Sequence, residues 1–371
     1  MASYVREVYL SWLSSAGLPP ALLTDLLEAG TPETLWDAVM HGEQNPCGVS
    51  LPMGSVSLLR DHGESKYMDT WARLTEKHRI QACIQGDSAY PERLLQIQDP
   101  PAVLFYIGSL VPGRCRAAAI VGSRSASWKG LSATEKIAEA LSRESVTIIS
   151  GLAYGIDTAA HRGCLKGGSP TVAVMGCGLD RNYPAENSDL RQQILDQGGL
   201  LMSEYAPGEK PLGWHFPVRN RIISGLSDCV ILMEARIRSG SMTTVQHALD
   251  QGLDVFVYPG EPDSLKSEAN HQLLREGAIY FTTADDIIED MRWLDKRQEV
   301  RQNSGSVSPG SKLTEAERKV MNCLERGPMT LDQLCDALHT DAGPMMAQLT
   351  MMQIAGLIEA LPGKQYGVKE K

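Results

Sequence analysis

The sequence lacks several features that would assign it to a specific class. Its eight cysteines stand at least 12 positions apart, which excludes a CxxC zinc or redox motif and is typical of reduced thiols. No apolar run approaches the ~18 residues that span a bilayer. The N-terminus has no basic segment followed by an apolar one, so no secretory signal is expected. We therefore expect a cytoplasmic protein without membrane insertion.

Positive charge is also in short supply, because 35 Lys and Arg face 45 Asp and Glu, a net charge of −10 at pH 7. That balance excludes indiscriminate coating of DNA but permits one local basic groove. Walker-type phosphate loops and HExxH metal motifs are absent. In GCGLDR at 176–181, an arginine stands where the dinucleotide fingerprint requires Gly or Ala. Binding of NAD is therefore disfavoured, and we expect no cofactor and no metal.

The composition that remains is that of a globular protein, with 371 residues, 43% of them hydrophobic and 22% charged. This length predicts two or three domains. Residues 1–75 carry 4 basic and 9 acidic side chains and show apolar residues at helical spacing. Thr31, Pro32 and Glu33 are typical of a helix start, with an N-cap, a first-turn proline and an acid near the positive dipole end. We predict a small helical domain here.

Short apolar runs alternate with amphipathic stretches through residues 100–295. One helix is expected to begin at the capping box of Ser132 and Glu135, and another to cover 241–249. This alternation predicts an α/β fold with a mainly parallel sheet covered on both faces, whose functional loops follow the carboxyl ends of the strands. The predicted strands are 117–121, 146–149, 171–175, 200–203, 229–233, 254–258 and 279–281.

Residues 296–311 are rich in Ser and Gly and predict a linker. Residues 312–371 show three helical patterns, of which two begin with capping boxes at 314–317 and 330–333. A Pro362-Gly363 turn follows, and the order of elements indicates a winged helix. Its third helix, near 343–354, contains no Lys or Arg. Such a helix would bind duplex phosphates poorly, so a protein-contact or structural role is favoured.

Glycine-rich or small residues follow five of the predicted strands. Glycine allows close approach of a ligand to the backbone, and a helix N-terminus offers free N–H groups to an anion. Any one such loop is most often a tight turn, but five loops at one sheet edge indicate a phosphate-bearing ligand. They begin at Gly122, Ser150, Gly176, Arg236 and Pro259.

The run WHFPVRNR at 214–221 places aromatic side chains beside arginines, a combination suited to single-stranded nucleic acid. The alternative, that the aromatics are core residues and the arginines form surface ion pairs, stays open here. Four residues are of types that could form acid–base pairs, but local ion pairs or buried polar contacts are the favoured interpretation, and no catalysis is assigned. They are Asp157, His161, Glu204 and Glu234.

Six stretches together resemble the DNA-processing protein A family (DprA, also called Smf). They are YPERLLQIQDPPAVLFYIG at 90–108, VGSR at 121–124, SGLAYGIDTAAH at 150–161, YPAEN at 183–187, FPVRNRIISGLS at 216–227 and EARIRSGS at 234–241. The resemblance covers about residues 85–290, in the family order. The N-terminal part resembles the sterile-alpha-motif-like or helix-hairpin-helix module of many members, and the C-terminal part resembles their winged helix.

The resemblance implies an extended Rossmann-type domain that binds single-stranded DNA, forms a homodimer, and loads the recombinase RecA onto incoming DNA in natural transformation. It implies no enzymatic activity. Carried over by motif, the loop 122–124 would hold a phosphate, and the RNR residues 219–221 would line the same pocket. The small residues at 150, 151, 176 and 239–241 would form the floor of this pocket with their backbone N–H groups. The implied site residues are Gly122, Ser123, Arg124, Ser150, Gly151, Gly176, Phe216, Arg219, Asn220, Arg221, Ser239, Gly240 and Ser241.

The chain departs from the family pattern at two places. Gly213 stands where members often have a lysine, and Glu268-Ala269 replaces a small, glycine-containing approach to Asn270. An alternative function comes from a similar Rossmann variant, the LOG-type nucleotide phosphoribohydrolases. In that case Glu234 and Arg124 would act on a nucleotide monophosphate, although the PGGxGTxxE signature of those enzymes is absent.

Overall fold

The computed structural model describes residues 4–109, 116–293, 315–324, 327–338, 340, 345–346, 348–349, 352–353, 358–361 and 365–368. The chain divides into two compact units, 1–293 and 294–371. In the part of the chain just given, no helix has both the length and the apolar character needed to span a bilayer.

The first unit begins with five helices, as the sequence predicts for its N-terminal part. The predicted helix start is confirmed: Thr31 accepts a hydrogen bond from the Thr34 N–H, and Pro32 occupies the first turn. Leu10, Trp12 and Leu26 belong to the buried core of this part. The helices are α1 (Arg6–Ser14), α2 (Pro20–Ala29), α3 (Pro32–Met40), α4 (Ser55–His62) and α5 (Ser65–His78).

A nine-stranded sheet follows, in the order β1-β2-β6-β5-β4-β3-β7-β8-β9. The sheet is parallel from β6 to β9, whereas β2 runs antiparallel to both of its neighbours, β1 and β6. The strands are β1 (Gln81–Ile84), β2 (Val103–Gly108), β3 (Ala117–Val121), β4 (Thr147–Ser150), β5 (Thr171–Met175), β6 (Leu200–Ser203), β7 (Cys229–Leu232), β8 (Asp254–Val257) and β9 (Ile279–Tyr280). The seven predicted strands are present, and β1 and β2 are additional.

Seven further helices cover the two faces of this sheet. Successive residues of one strand point to opposite faces: Ile120 packs into one core with Ile137, while Val121 packs into the other with Ile222. The predicted α/β class with a mainly parallel sheet is confirmed. The helices are α6 (Trp128–Arg143), α7 (Ile156–Gly167), α8 (Ser188–Asp196), α9 (His215–Gly225), α10 (Ser241–Asp250), α11 (Glu268–Arg275) and α12 (Ala284–Asp290).

The predicted start of α6 is wrong. The N-cap is Ser127, whose side chain accepts a hydrogen bond from the Gly130 N–H. Ser132 and Glu135 lie inside the helix. The capping-box pattern was misleading because Ser127 provides an earlier cap that is stabilised by a contact from a distant loop, described below.

The second unit contains α13 (Glu315–Leu324), β10 (Met329–Thr330), α14 (Leu331–Leu338), β11 (Ile358–Leu361) and β12 (Gln365–Val368). The predicted capping box at 330–333 is confirmed by reciprocal hydrogen bonds between Thr330 and Gln333. Strands β11 and β12 pair antiparallel on either side of the predicted Pro362-Gly363 turn. The predicted linker, Thr314 of the predicted capping box at 314–317 and half of the residues of the predicted third helix lie outside the described residues.

Candidate nucleic-acid interface

A pocket of about 660 Å³ opens at the edge of the sheet where β3, β4 and β7 end. It is lined by the loops after these strands, by Tyr183 from the segment after β5, and by the first turns of α9. Nine of the thirteen sequence-predicted site residues line it together: Gly122, Ser123, Arg124, Phe216, Arg219, Asn220, Ser239, Gly240 and Ser241.

Phe216 is the centre of this arrangement. The guanidinium carbon of Arg124 lies 5.3 Å from the centroid of its ring, and that of Arg219 lies 5.9 Å away. Tyr183 stacks on the same ring, with centroids 5.5 Å apart and an interplanar angle of 30°. Such contacts fix aromatic faces beside positive charge. Tyr183 belongs to the YPAEN stretch but not to the predicted site; its place in the pocket lining and its stacking on Phe216 identify it.

Two glycines make this packing possible. A Cβ at Gly176 would lie 2.8 Å from Cδ1 of Phe216, so a larger residue would displace the ring. A Cβ at Gly151 would lie 2.6 Å from Nη2 of Arg219. Both glycines line a small recess that adjoins the pocket. Here glycine is needed because side chains approach the backbone closely.

Arg219 forms the floor of the pocket rather than its rim, since only 3% of the residue is exposed. Its Nη1 donates to the carbonyl oxygens of Gly151, at 3.1 Å, and of Val174. Burial lowers the pKa of Arg219 to about 10, and the nearby carboxylate of Asp157 acts in the opposite direction. The floor therefore carries a positive charge that is already partly balanced.

Asp157 is the counterpart of that charge. Its Oδ2 accepts hydrogen bonds from the backbone N–H groups of Gly151 and Ala153, at 3.1 and 3.2 Å. Burial raises the pKa of Asp157, while Arg219 and these N–H donors lower it. The carboxylate thus orders the loop after β4 by accepting these two hydrogen bonds. This arrangement agrees with the favoured interpretation of a buried polar contact rather than a general base.

The carboxylate of Glu234 is engaged with the loop after β3. It accepts hydrogen bonds from the backbone N–H and the hydroxyl of Ser127, at 2.7 and 2.5 Å. Its backbone oxygen accepts from the Ser123 N–H at 2.7 Å. This contact explains the early start of α6. Glu234 is buried and is absent from the pocket lining, so it is not placed to act on a nucleotide there.

The start of α10 forms the opposite wall. Asn220 donates to the Gly240 carbonyl at 3.1 Å and to the Thr243 hydroxyl at 2.7 Å, which ties α9 to this helix start. The hydroxyls of Ser239 and Ser241 lie 2.7 Å apart. Because the N-terminus of a helix carries unpaired N–H groups and the positive end of its dipole, this wall favours an anion.

Two exposed cations line the pocket, Arg124 and Arg236. Within the described part of the chain, neither forms an ion pair with an acidic side chain. Arg236 was counted in the basic segment of the sequence but was not predicted as a site residue. Its position four residues after the last residue of β7, at the same sheet edge as the other loops, was the available signal.

Arg221 does not line this pocket, contrary to the prediction. Its guanidinium is paired with both carboxylate oxygens of Glu204, at 2.8 and 2.6 Å, and its Nε donates to the Asp99 carbonyl. On a helix, neighbouring side chains two positions apart point to different sides. Arg219 and Arg221 therefore face different clefts.

Ser150 is also placed away from the ligand space. It is fully buried, and its hydroxyl donates to the Ile120 carbonyl at 2.7 Å, which links β4 to β3. His161, considered as an acid–base residue, is likewise buried, and its Nδ1 lies 2.8 Å from the Thr171 hydroxyl. Both residues support the sheet rather than the pocket surface.

A second cleft of about 380 Å³ lies on the other side of the first turn of α9. Trp214, Leu212 and Val218 line it together with the ion pair of Arg221 and Glu204 and with residues of the N-terminal helices. The stretch 211–218 thus separates two clefts, of which one contains unpaired cations and the other a closed ion pair.

The fold and the pocket define a class of protein: an extended Rossmann-type domain with an aromatic, arginine-lined pocket at the carboxyl ends of its strands, followed by a winged helix. The chain belongs to the DNA recombination-mediator protein A family, whose family model matches residues 81–292. A second model, the DprA winged helix domain, matches residues 306–364.

Individual relatives agree with this assignment. The chain is 45% identical over 207 residues to the DNA processing protein DprA of Streptococcus pneumoniae, a match that covers 56% of this chain and 73% of the relative. The X-ray structure of DprA from Streptococcus pneumoniae superposes with a TM-score of 0.63 at 35% identity, over 77% of this chain and 98% of that one.

A second solved structure belongs to a protein described for its binding of DNA. DNA processing protein A from Helicobacter pylori, described for its single-stranded DNA binding mode, superposes with a TM-score of 0.51 at 29% identity. The match covers 57% of this chain and 95% of that chain.

Proposed function

We propose that this protein binds single-stranded DNA in the pocket around Phe216 and delivers it to the recombinase RecA. The observation that carries the proposal is the grouping of Phe216, Tyr183 and Arg124, in which stacked aromatic rings lie beside an exposed arginine without an acidic partner. Bases stack on aromatic faces and phosphates pair with guanidinium groups, without selection of sequence. The single-stranded DNA binding of the relative from Helicobacter pylori supports this proposal.

Each charged residue has a separate role in this proposal. Arg124 and Arg236 contact phosphates from the rim, and the start of α10 donates backbone N–H groups to an anion. Arg219 is a positioning residue: it supports the Phe216 ring and the loop after β4 from below. Arg221 is assigned no contact with DNA, because its charge is engaged by Glu204.

The finer parts of the function rest on the family resemblance. They are RecA loading in natural transformation, formation of a homodimer that raises avidity, action in the cytoplasm, and the absence of catalysis. The domain division into 1–75, 85–295, a linker at 296–311 and 312–371 belongs here too; the ranges of the two family models support it.

A strand-exchange assay with RecA, on DNA coated with single-strand-binding protein, tests the loading step. Incubation with AMP and detection of free adenine tests for hydrolysis.

The binding site itself is tested with Phe216→Ala. Loss of base stacking is expected to weaken affinity for oligo-dT by about 1–3 kcal/mol, measured by fluorescence anisotropy. Leu249→Ala is a matched control, since Leu249 is an exposed apolar residue of α10 outside the pocket lining. Equal affinities of wild type and Phe216→Ala would contradict the proposal.

A further inference from the structure

Trp128 is the most exposed of the tryptophans that the structure describes, with 79% of the residue accessible. It is the first residue of α6, directly after the N-cap Ser127. No ring contact or cation contact involves it within the described residues. A large aromatic face at this position contributes little to the core and is free to contact a ligand.

The hydrogen bonds of Glu234 join the start of α6, whose first residue is Trp128, to the loop after β7. Both the backbone and the side chain of Ser127 are bound to the Glu234 carboxylate. The next residues of that loop include Arg236 and Arg238, which are exposed. We call Trp128, Arg236 and Arg238 the Trp128 ledge. Arg236 also lines the main pocket, so this residue belongs to both the pocket and the ledge.

The charges of the ledge are available to a ligand. Within the described residues, neither Arg236 nor Arg238 forms an ion pair with an acidic side chain. In the loop after β8, the carboxylate of Glu261 is paired with another cation, Lys129, whose Nζ lies 2.5 Å away. An exposed indole with two unpaired guanidinium groups is the combination that binds unpaired nucleotides.

We propose that the Trp128 ledge is a second nucleotide-binding subsite, over which a DNA single strand continues after it leaves the pocket around Phe216. One base stacks on the indole of Trp128, and the neighbouring phosphates contact Arg236 and Arg238. This proposal rests on the proposed function and adds a direction to it: the strand runs toward the β7 and β8 side of the sheet edge.

The opposite direction offers a tryptophan but a different charge environment. Trp214 is 62% exposed at the other side of the pocket. Its ring is in edge contact with His215, and the cleft that it lines contains Glu209 and the closed pair of Glu204 and Arg221. A phosphate would meet less free positive charge here than at the ledge, so Trp214 is the matched control.

The test is fluorescence anisotropy with labelled oligo-dT of about 4 and about 16 nucleotides, near the limits of common single-strand site sizes. For Trp128→Ala we expect about tenfold weaker binding of the long oligonucleotide, equivalent to about 1.4 kcal/mol. Affinity for the short one should change by less than about twofold, since it fills only the pocket. Trp128→Phe should retain most of the affinity. Trp214→Ala should match the wild type at both lengths.

Measuring Phe216→Ala in the same assay separates a failure of the ledge proposal from a failure of the proposed function. If Phe216→Ala weakens binding but Trp128→Ala matches the wild type on the long oligonucleotide, the ledge is overturned and the pocket stands. A loss with Trp214→Ala and none with Trp128→Ala would reverse the direction of the strand. If the wild type binds neither oligonucleotide, both proposals fail. Because Trp128 is exposed, unchanged thermal unfolding is expected for its variants.

Discussion

Two clefts flank the first turn of α9, and both contain an arginine of the same RNR motif, yet their electrostatics differ. In the pocket, Arg219 lies in the floor near Asp157, and exposed Arg124 remains at the rim beside Phe216. In the second cleft, the charge of Arg221 is neutralised by Glu204, which accepts two hydrogen bonds from its guanidinium group. The difference teaches that the number of arginines in a segment does not measure its capacity for anions. What counts is the charge left after internal pairing.

Arg219 has a structural role in the pocket floor. Of the variants considered, Arg219→Ala is expected to have the largest effect. Arg219→Ala would leave the buried carboxylate of Asp157 without its cation and two carbonyl groups without a donor. We expect the free energy of unfolding to fall by about 3–5 kcal/mol, as when one partner of a buried charge pair is removed. Urea denaturation measures this value.

Two further variants serve as controls for Arg219→Ala. Adding Asp157→Asn should recover part of the loss, because the unpaired charge is then removed. Arg238→Ala, at an exposed position, should change the unfolding free energy by less than about 0.5 kcal/mol. Similar stabilities for Arg219→Ala and Arg238→Ala would show that the floor does not depend on the buried guanidinium.

A smaller effect concerns His161, which lies in the field of Arg219. Burial first, and Arg219 second, lower the pKa of His161 to about 3 from its usual 6.5. The unfolded chain therefore binds a proton at higher pH than the folded one. The contribution of His161 to the free energy of unfolding is fully present above about pH 6.5. This contribution is lost as the pH falls toward 3, at about 1.4 kcal/mol per pH unit.

The comparison between wild type and His161→Gln isolates this effect. Between pH 6 and pH 4.5, the wild type should lose more unfolding free energy than the variant, with a slope difference of about 1 kcal/mol per pH unit. Asp157, whose pKa is raised by burial, contributes with the opposite sign but is present in both proteins. Leu249→Ala, at an exposed position without a titratable group, should keep the wild-type slope. Parallel curves for wild type and His161→Gln would disprove the assignment.

Much of the fold was predictable because its signals are local. Buried runs such as 117–121 and 171–175 became strands with the expected limits, and Thr31 and Thr330 cap helices as predicted. The start of α6 was not predictable, because the N-cap Ser127 is held by hydrogen bonds to Glu234, a residue more than 100 positions away in the sequence. Strands β1 and β2 were missed, since no alternation of strand and helix marks them.

The site was predictable to a lesser extent. The loops could be assigned to one sheet edge from the alternation of strands and helices alone, and nine predicted residues meet there. The sequence did not reveal which arginines are paired, because the partners of Arg221 and Arg219 come from other segments of the chain. Pairing across the sheet is a property of tertiary structure, and it decides which cations remain at the rim.

The most direct test of the central claim, that free rim charge binds DNA phosphates, is the salt dependence of oligo-dT affinity for two variants. Arg124→Ala should reduce the slope of log affinity against log salt by about 0.7, the value for one phosphate contact on a single strand. The double variant Glu204→Ala, Arg221→Ala removes the closed pair and should keep the wild-type slope. An unchanged slope for Arg124→Ala, or an equal reduction in the double variant, would contradict the account.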